Sequence, residues 1–304
     1  MLRLAMTTDA ETFDRVREPL ADRGIAVDHV RAKERSLRVS GGGKRGEGGT
    51  GSGRDGDAEF DEFDAGFVYS SRLMEGAVVD ARLSVPWVND REAVLTSRNK
   101  AGVLAALDDV GLSVPRTTMI SNPVDESVVA EAVERFSYPV VVKPNSATRG
   151  VGVATAGDLD SLLGVVDYLD LVHDYRATGD KSYLIQEFLP DARDYRAMVV
   201  DGAYVGAVER ELPPDAVEEG RWKHNVHRGA EATGVDLPDR ARELAERAAA
   251  VLGIDYLGVD LLETDGRLVV NETNARPTVD AATKYEPEFY DRLARLIERT
   301  AAGE

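Results

Sequence analysis

The segment Gly258-Val-Asp260-Leu-Leu-Glu-Thr-Asp-Gly-Arg-Leu-Val-Val-Asn271-Glu272-Thr-Asn274-Ala-Arg276-Pro277 constrains this chain more than any other. Apolar runs flank Asp265-Gly266, a dipeptide that tolerates the positive φ angles of a tight hairpin turn, so residues 257–274 are predicted to form two antiparallel strands. The polar residues in these runs carry oxygen. Glu272 and Asn274 are two apart and share a strand face. Asp260 joins them only on a condition. A regular two-residue turn at Asp265-Gly266 pairs position 260 with 271 and sends Asp260 to the opposite face. A three-residue connection through Thr264, or a β-bulge, brings all three oxygens together. Such a set suits Mg²⁺, which takes one or two carboxylates and completes its shell with water and phosphate oxygens. The metal reading therefore requires an odd connection or a bulge, and an unbulged two-residue turn would refute it.

The charge balance limits what this hairpin can serve. The chain has 304 residues, with 55 Asp and Glu against 37 Lys and Arg, for a net charge of -18. So acidic a surface repels phosphate backbones and anionic lipid, which disfavours nucleic-acid and membrane-surface binding, and any anionic substrate needs local cations. Only seven of the basic residues are Lys: 33, 44, 100, 143, 181, 223 and 284. Excess carboxylate with scarce Lys is expected of a halophilic protein, because the Debye length falls to about 3 Å at 1 M salt. The other source of this bias is a high-GC genome, which also favours Arg, Ala and Gly. Zero cysteines exclude disulfides, thiolate metal sites and Cys nucleophiles. The first residues turn polar after Met6, and no apolar run approaches the roughly 18 residues of a membrane span, so the expected location is the cytoplasm.

Organisation along the chain follows α/β periodicity. Residues 1–95 read as a small α/β unit with strands at 2–6 and 25–30 around a helix at 10–23 that Gly24 ends. Residues 41–57 hold nine Gly, six charged residues and no apolar one, which predicts a disordered surface insertion because nothing there offsets ordering entropy by burial. A helix is predicted over 97–110, with Ser97 as N-cap and Gly111 as stop. Then come a strand after Pro115, a helix at 125–136, a strand at 138–143, a glycine-containing turn, a helix at 158–170 and a strand at 183–187. A second hairpin over 198–209 bends at Asp201-Gly202. Pro238 opens a helix that Gly253 ends, and Pro287 opens a last helix with Phe289, Leu293, Leu296 and Ile297 on one face. A first domain at 1–95 and lobes at 96–185 and 186–304 are expected.

Two further constellations carry chemistry. Val140-Val-Val-Lys143-Pro-Asn-Ser146-Ala-Thr-Arg149-Gly150-Val-Gly152 delivers one Lys at the end of an apolar strand, followed by a turn whose glycines let backbone N–H groups approach a phosphate. A snorkelling Lys before an ordinary turn fits the same pattern. Tyr183-Leu-Ile-Gln186-Glu187-Phe188-Leu189 is a strand whose polar residues appear as it leaves the apolar run, as at an adenine edge or simply at the edge of a sheet.

Taken in order, Lys100, Lys143 with its glycine turn, Gln186-Glu187, Asp194-Tyr-Arg196, Arg210, Lys223-His224-Asn225-Val-His-Arg228-Gly, Asp260 and Glu272-Thr-Asn274 resemble the RimK-like branch of the ATP-grasp amide ligases. The resemblance implies an ATP-grasp fold of α+β lobes behind an N-terminal α/β domain. It implies ATP, with Mg²⁺ or Mn²⁺ and two ions, phosphorylating a carboxylate that an amine then attacks. By the same resemblance Lys100 and Lys143 contact ATP phosphates, and Ser146, Arg149, Gly150 and Gly152 belong to a lid, from which Arg149 could reach the γ-phosphate. Gln186, Glu187 and Leu189 form the adenine hinge and Asp194 meets the ribose. Arg196, Arg210 and Arg228 hold the acceptor carboxylate and the developing acyl phosphate. Asn225 and Lys223 line the same region, and Lys223 and His224 are expected to bind the cofactor. Asp260, Glu272 and Asn274 match the metal ligands. The substrates implied are an amino acid, foremost glutamate, and a carboxylate-bearing coenzyme, metabolite or protein C-terminus; homodimers or homotetramers are common in the family. A small-molecule kinase and an inactive nucleotide-binding regulator are the rival readings. The chain departs from the family after the metal motif, where Ala275-Arg276-Pro277 replaces a small residue followed by Pro-Gly. Arg276 there either adds a cation to the acceptor pocket or pairs at the surface.

Overall fold

Turn chemistry sets the two hairpins first. Asp201 and Gly202 have φ of 53° and 71°, and Asp265 and Gly266 have 45° and 77°, so both Asp-Gly pairs adopt the doubly left-handed turn that matches strand twist. The computed structural model describes all residues except 38, 41–59, 61, 62, 149, 173–179, 225–228, 282 and 283. The predicted insertion at 41–57 therefore lies outside the described residues.

The first elements are β1 (Leu2–Met6), α1 (Glu11–Ala21), β2 (Ile25–His29), β3 (Ala65–Phe67), α2 (Leu73–Leu83), β4 (Trp87–Val88) and α3 (Arg91–Arg98). Next come α4 (Lys100–Asp109), β5 (Thr117–Ser121), α5 (Glu126–Val133), β6 (Val140–Pro144), β7 (Ala154–Ala156), α6 (Leu159–Val172) and β8 (Ser182–Glu187). The last are β9 (Arg193–Val200), β10 (Ala203–Glu211), α7 (Pro214–Glu218), β11 (Glu231–Val235), α8 (Asp239–Leu252), β12 (Tyr256–Thr264), β13 (Arg267–Asn274) and α9 (Phe289–Ala302).

Contacts divide the chain into two units. The first contains Met1–Glu92, Arg276–Ala281 and Pro287–Glu304. Its sheet is parallel, in the order β2-β1-β3-β4. Helix α9 packs on β3, β4 and α1, burying Phe289, Leu293, Leu296 and Ile297, the face its spacing marks as apolar. Residues 287–304 thus group with the first unit, whereas the sequence expectation counted them in the segment 186–304. Periodicity reveals that a helix has an apolar face but not which sheet that face covers.

The second unit contains Ala93–Ala275 and Ala282–Glu286. A four-stranded antiparallel sheet, β5-β8-β6-β7, packs Ile120, Val140, Val142, Tyr183 and Ile185 against Val129, Val133, Leu162 and Val166 of helices α5 and α6. A five-stranded antiparallel sheet, β11-β10-β9-β12-β13, carries α8, whose Ala241, Ala245, Ala248 and Ala249 are buried. One predicted cap moves. Helix α4 begins at Lys100 because Asn99 Oδ1 accepts from the Gly102 N–H at 3.0 Å. Ser97 is buried instead, its hydroxyl 3.1 Å from Thr273 Oγ1 and accepting from the Ala275 N–H at 3.0 Å. That contact anchors the end of β13 to α3.

Candidate active site

The hairpin condition is met by a bulge. Thr264 pairs with Arg267 across a two-residue turn, which alone would set Asp260 against Asn271. The register shifts after Leu261↔Val270, so that Asp260 pairs with Glu272 and Gly258 with Asn274, leaving Asn271 as the extra residue. Strand β9 runs beside β12 with Arg196 directly opposite Asp260. A second register shift, between Tyr204 and Gly206 in β10, sets Arg210 opposite Asp194. Directly opposed antiparallel residues project to the same side, so Asp194, Arg196, Arg210, Asp260, Glu272 and Asn274 share one face of the sheet.

Charges alternate on that face. Arg196 grips Asp260 in a two-pronged pair, Nε to Oδ1 at 2.7 Å and the terminal nitrogen to Oδ2 at 2.8 Å. Arg210 reaches Asp260 Oδ2 at 3.0 Å and donates from Nε to Asp194 Oδ1, also at 3.0 Å. Burial would raise the Asp260 carboxyl, yet the two guanidiniums hold it well below the usual carboxylate range. Asp194 moves the other way: burial pushes it up, with Asp260 adding to the rise, against the pull of Arg210. Two lysines face this group from other elements. Lys100, the first residue of α4, lies 3.6 Å from Glu272 and donates to the Ala147 carbonyl at 2.7 Å. Lys143, in β6, is 4% exposed and donates to Asn271 Oδ1 at 3.2 Å. Burial lowers its pKa to about 8, with Glu272 opposing that fall.

The glycine turn follows Lys143. Ser146 is buried and its hydroxyl has no hydrogen-bond partner among the described residues, an orphan that a ligand oxygen could satisfy. Gly150 and Gly152 have positive φ, and a Cβ on Gly152 would come within 2.7 Å of the Pro144 ring. Beyond the turn, Val153 accepts from Lys223 Nζ through its carbonyl. His224 Nδ1 lies 2.8 Å from the Arg210 carbonyl, and Trp222 meets Phe188 edge-on at 5.8 Å. A cavity of about 440 Å³ is lined by Gly220, Arg221, Trp222 and Lys223. At the end of β8, Gln186 donates to Thr117 Oγ1 at 2.9 Å, and Leu189 is half-buried. The Glu187 carboxylate accepts from the Arg116 N–H at 2.9 Å, from Arg116 Nε at 3.0 Å and from Arg267 at 2.8 Å. Burial would raise this carboxyl, but those hydrogen bonds bring it to about 2. Arg149, Asn225 and Arg228 lie outside the described residues. Arg276 donates from Nε to the Tyr69 carbonyl within the first unit.

A sequence profile of the RimK-like ATP-grasp domain matches residues 97–291. The chain belongs to the RimK-like ATP-grasp family. It is 31% identical to a probable alpha-L-glutamate ligase of Citrobacter koseri over 71% of this chain and 69% of that protein. It is 30% identical to the ribosomal protein bS6–L-glutamate ligase of Escherichia fergusonii over the same shares. The structure of the ATP-grasp ligase PsnB with a minimal precursor superposes with a TM-score of 0.69 at 19% identity, covering 98% of each chain, which shows the fold. This RimK-like chain is an ATP-dependent ligase of the carboxylate–amine class.

Three residues near the site were missed in the sequence: Asn271, Arg116 and Arg267. The first had a signal, because a bulge demanded by parity needs an extra residue and Asn271 lies inside the interval where it must fall. Arg116 and Arg267 had none; they lie 71 and 80 residues from Glu187. Among the described residues no three Asp, Glu or His side chains form a closed metal cage. Asp260, Glu272 and Asn274 instead set two carboxylates and a carboxamide on one face, the Asp260 oxygens being held by Arg196 and Arg210, and this donor chemistry fits an ion sharing its shell with phosphate and water.

Proposed function

We propose that the enzyme uses ATP and Mg²⁺, with Mn²⁺ able to substitute and two ions held, to add glutamate to a carboxylate-bearing acceptor through an acyl phosphate. The observation that carries this reading is the meeting of Lys100, Lys143, Arg196 and Arg210 with Asp260 and Glu272 around one sheet face. A carboxylate resists nucleophiles because of its charge. Transfer of the γ-phosphoryl group to its oxygen removes that charge and installs a leaving group, while the bond to the β-phosphate oxygen breaks and ADP forms. The amine then attacks the acyl carbon, inorganic phosphate departs and the nitrogen loses a proton.

Each residue has a part in this scheme. Lys100 and Lys143 neutralise phosphate oxygens, and the unpartnered Ser146 hydroxyl donates to one of them. Asp260, Glu272 and Asn274 would hold the ions, whose positive charge stabilises the transferring group. Arg196 and Arg210, kept in fixed orientations by Asp260 and Asp194, meet the acceptor carboxylate together with Arg228. Gln186, Glu187 and Leu189 lie at the adenine, Asp194 serves the ribose side, and Asn225, Lys223 and His224 close the acceptor side. The two curated relatives named above support glutamate as the amino acid, since both names specify an L-glutamate ligase. A net charge of -18 repels an acidic protein tail at low salt and favours a small coenzyme or metabolite as the acceptor. The test is mass spectrometry after incubation with ATP, glutamate and a metabolite extract. One acceptor mass should grow by a glutamyl unit, with ADP released only when both substrates are present. ADP release that needs only an alcohol would overturn this reading in favour of a kinase.

A further inference from the structure

We propose that Asn271, the extra residue of the β13 bulge, is a positioning residue for Lys143. Lys143 is buried in β6 of the four-stranded sheet, whereas Asn271 belongs to β13 of the five-stranded sheet. Their 3.2 Å hydrogen bond spans two separate sheets. A Lys stem has four rotatable bonds, and an ammonium that is to meet a phosphate oxygen must be held along one direction. The Asn271 carboxamide oxygen supplies that direction, since it accepts from Nζ and carries no charge to compete with an incoming phosphate.

The bulge explains how Asn271 comes to be there. In a regular ladder successive side chains alternate, so a neighbour of Glu272 would point away from it. At a bulge the extra residue escapes that alternation, and here Asn271, between Val270 and Glu272, is the unpaired one. The bulge thus keeps the three oxygen ligands aligned despite the extra residue, and that residue turns its carboxamide towards Lys143. A deletion separates these two effects. Without Asn271 the two-residue turn pairs Asp260 with Glu272 in a regular ladder, so the oxygen face survives while Lys143 loses its partner.

This inference rests on the proposed phosphate role of Lys143, and the experiment distinguishes failure of the one from failure of the other. Binding of ADP with Mg²⁺ is measured by calorimetry, and the KM for ATP by ADP release, for the wild type, Asn271→Ala, Lys143→Met and the double variant. Asn271→Ala is expected to weaken ADP binding and raise the KM about tenfold, with kcat reduced less than about threefold. Lys143→Met should lose more, and the double variant should match Lys143→Met within about twofold, because the carboxamide acts only through the ammonium. Additive losses, or an Asn271→Ala enzyme that binds like the wild type, would overturn the inference while leaving the role of Lys143 intact. Wild-type binding by Lys143→Met would overturn both. Should the alanine variant fail to fold, Asn271→Ser, whose hydroxyl falls short of Lys143, and the deletion of Asn271 are each expected to give the same losses.

Discussion

The hairpins β9–β10 and β12–β13 are built alike and used differently. Each closes on Asp-Gly with both φ angles positive, and each contains one register shift. In both, the shift corrects parity. The turn pairing Val200 with Ala203 would set Arg210 against Arg193, just as the other turn would set Asp260 against Asn271. The difference lies in what the aligned residues do next. Arg210 and Asp194, with 8% and 14% of their side chains exposed, satisfy each other and Asp260. Glu272 is 31% exposed and its ion pair with Lys100 is 3.6 Å long. The first hairpin pairs its charges with one another and keeps them buried, and the second leaves one carboxylate partly exposed.

The largest expected effect falls on the open hairpin. Glu272→Ala should cut ATP turnover by about 10³-fold or more while the melting temperature hardly moves; retained turnover in an ADP-release assay would reverse the contrast. Arg210→Ala should lower stability as well as turnover. It leaves Asp194 without its guanidinium and Asp260 with one fewer, costing about 3–5 kcal/mol in denaturant unfolding. Gly206→Ala tests the β10 bulge itself: Gly206 has φ of 135°, and a Cβ there would lie 2.8 Å from the Lys284 carbonyl oxygen and Tyr285 Cα. A loss of roughly 2 kcal/mol is expected from the same measurement. The smallest effect concerns Lys143. Its pKa is lowered from 10.5 to about 8, so the free enzyme loses this ammonium as pH rises through 8. Metal-free ADP affinity should fall severalfold, on the order of threefold to tenfold, between pH 7 and pH 9. Stability runs the other way, because the cost of burying the charged form is fully present below pH 8 and is relieved as pH rises from 8 towards 10.5.

Much of this was legible wherever a local rule decides the geometry. Turn chemistry at Asp265-Gly266 fixes strand parity, and parity forces a bulge if Asp260, Glu272 and Asn274 are to meet. Applied to Asp194, Arg196 and Arg210, the same arithmetic demands the β10 bulge. The helices ended by Gly24, Gly111 and Gly253 were legible because a left-handed residue stops a helix. What stayed hidden depends on distant partners. Ser97 reads as a cap until Thr273 and Ala275 claim its hydroxyl. The partners of the Glu187 carboxylate, Arg116 and Arg267, cannot be read from the strand that carries it. The short strands β3 and β4 leave too few residues for a period to show.

In the proposed scheme the bulge-aligned face of β12–β13 binds a divalent ion together with a nucleotide. Electron paramagnetic resonance of Mn²⁺ titrated into the protein with ADP tests it most directly, comparing the wild type with Glu272→Ala at matched circular dichroism. The wild type should bind Mn²⁺ in an ADP-dependent manner, and the variant should lose most of that bound signal. Equal Mn²⁺ binding by both proteins would show that Glu272 does not hold the ion.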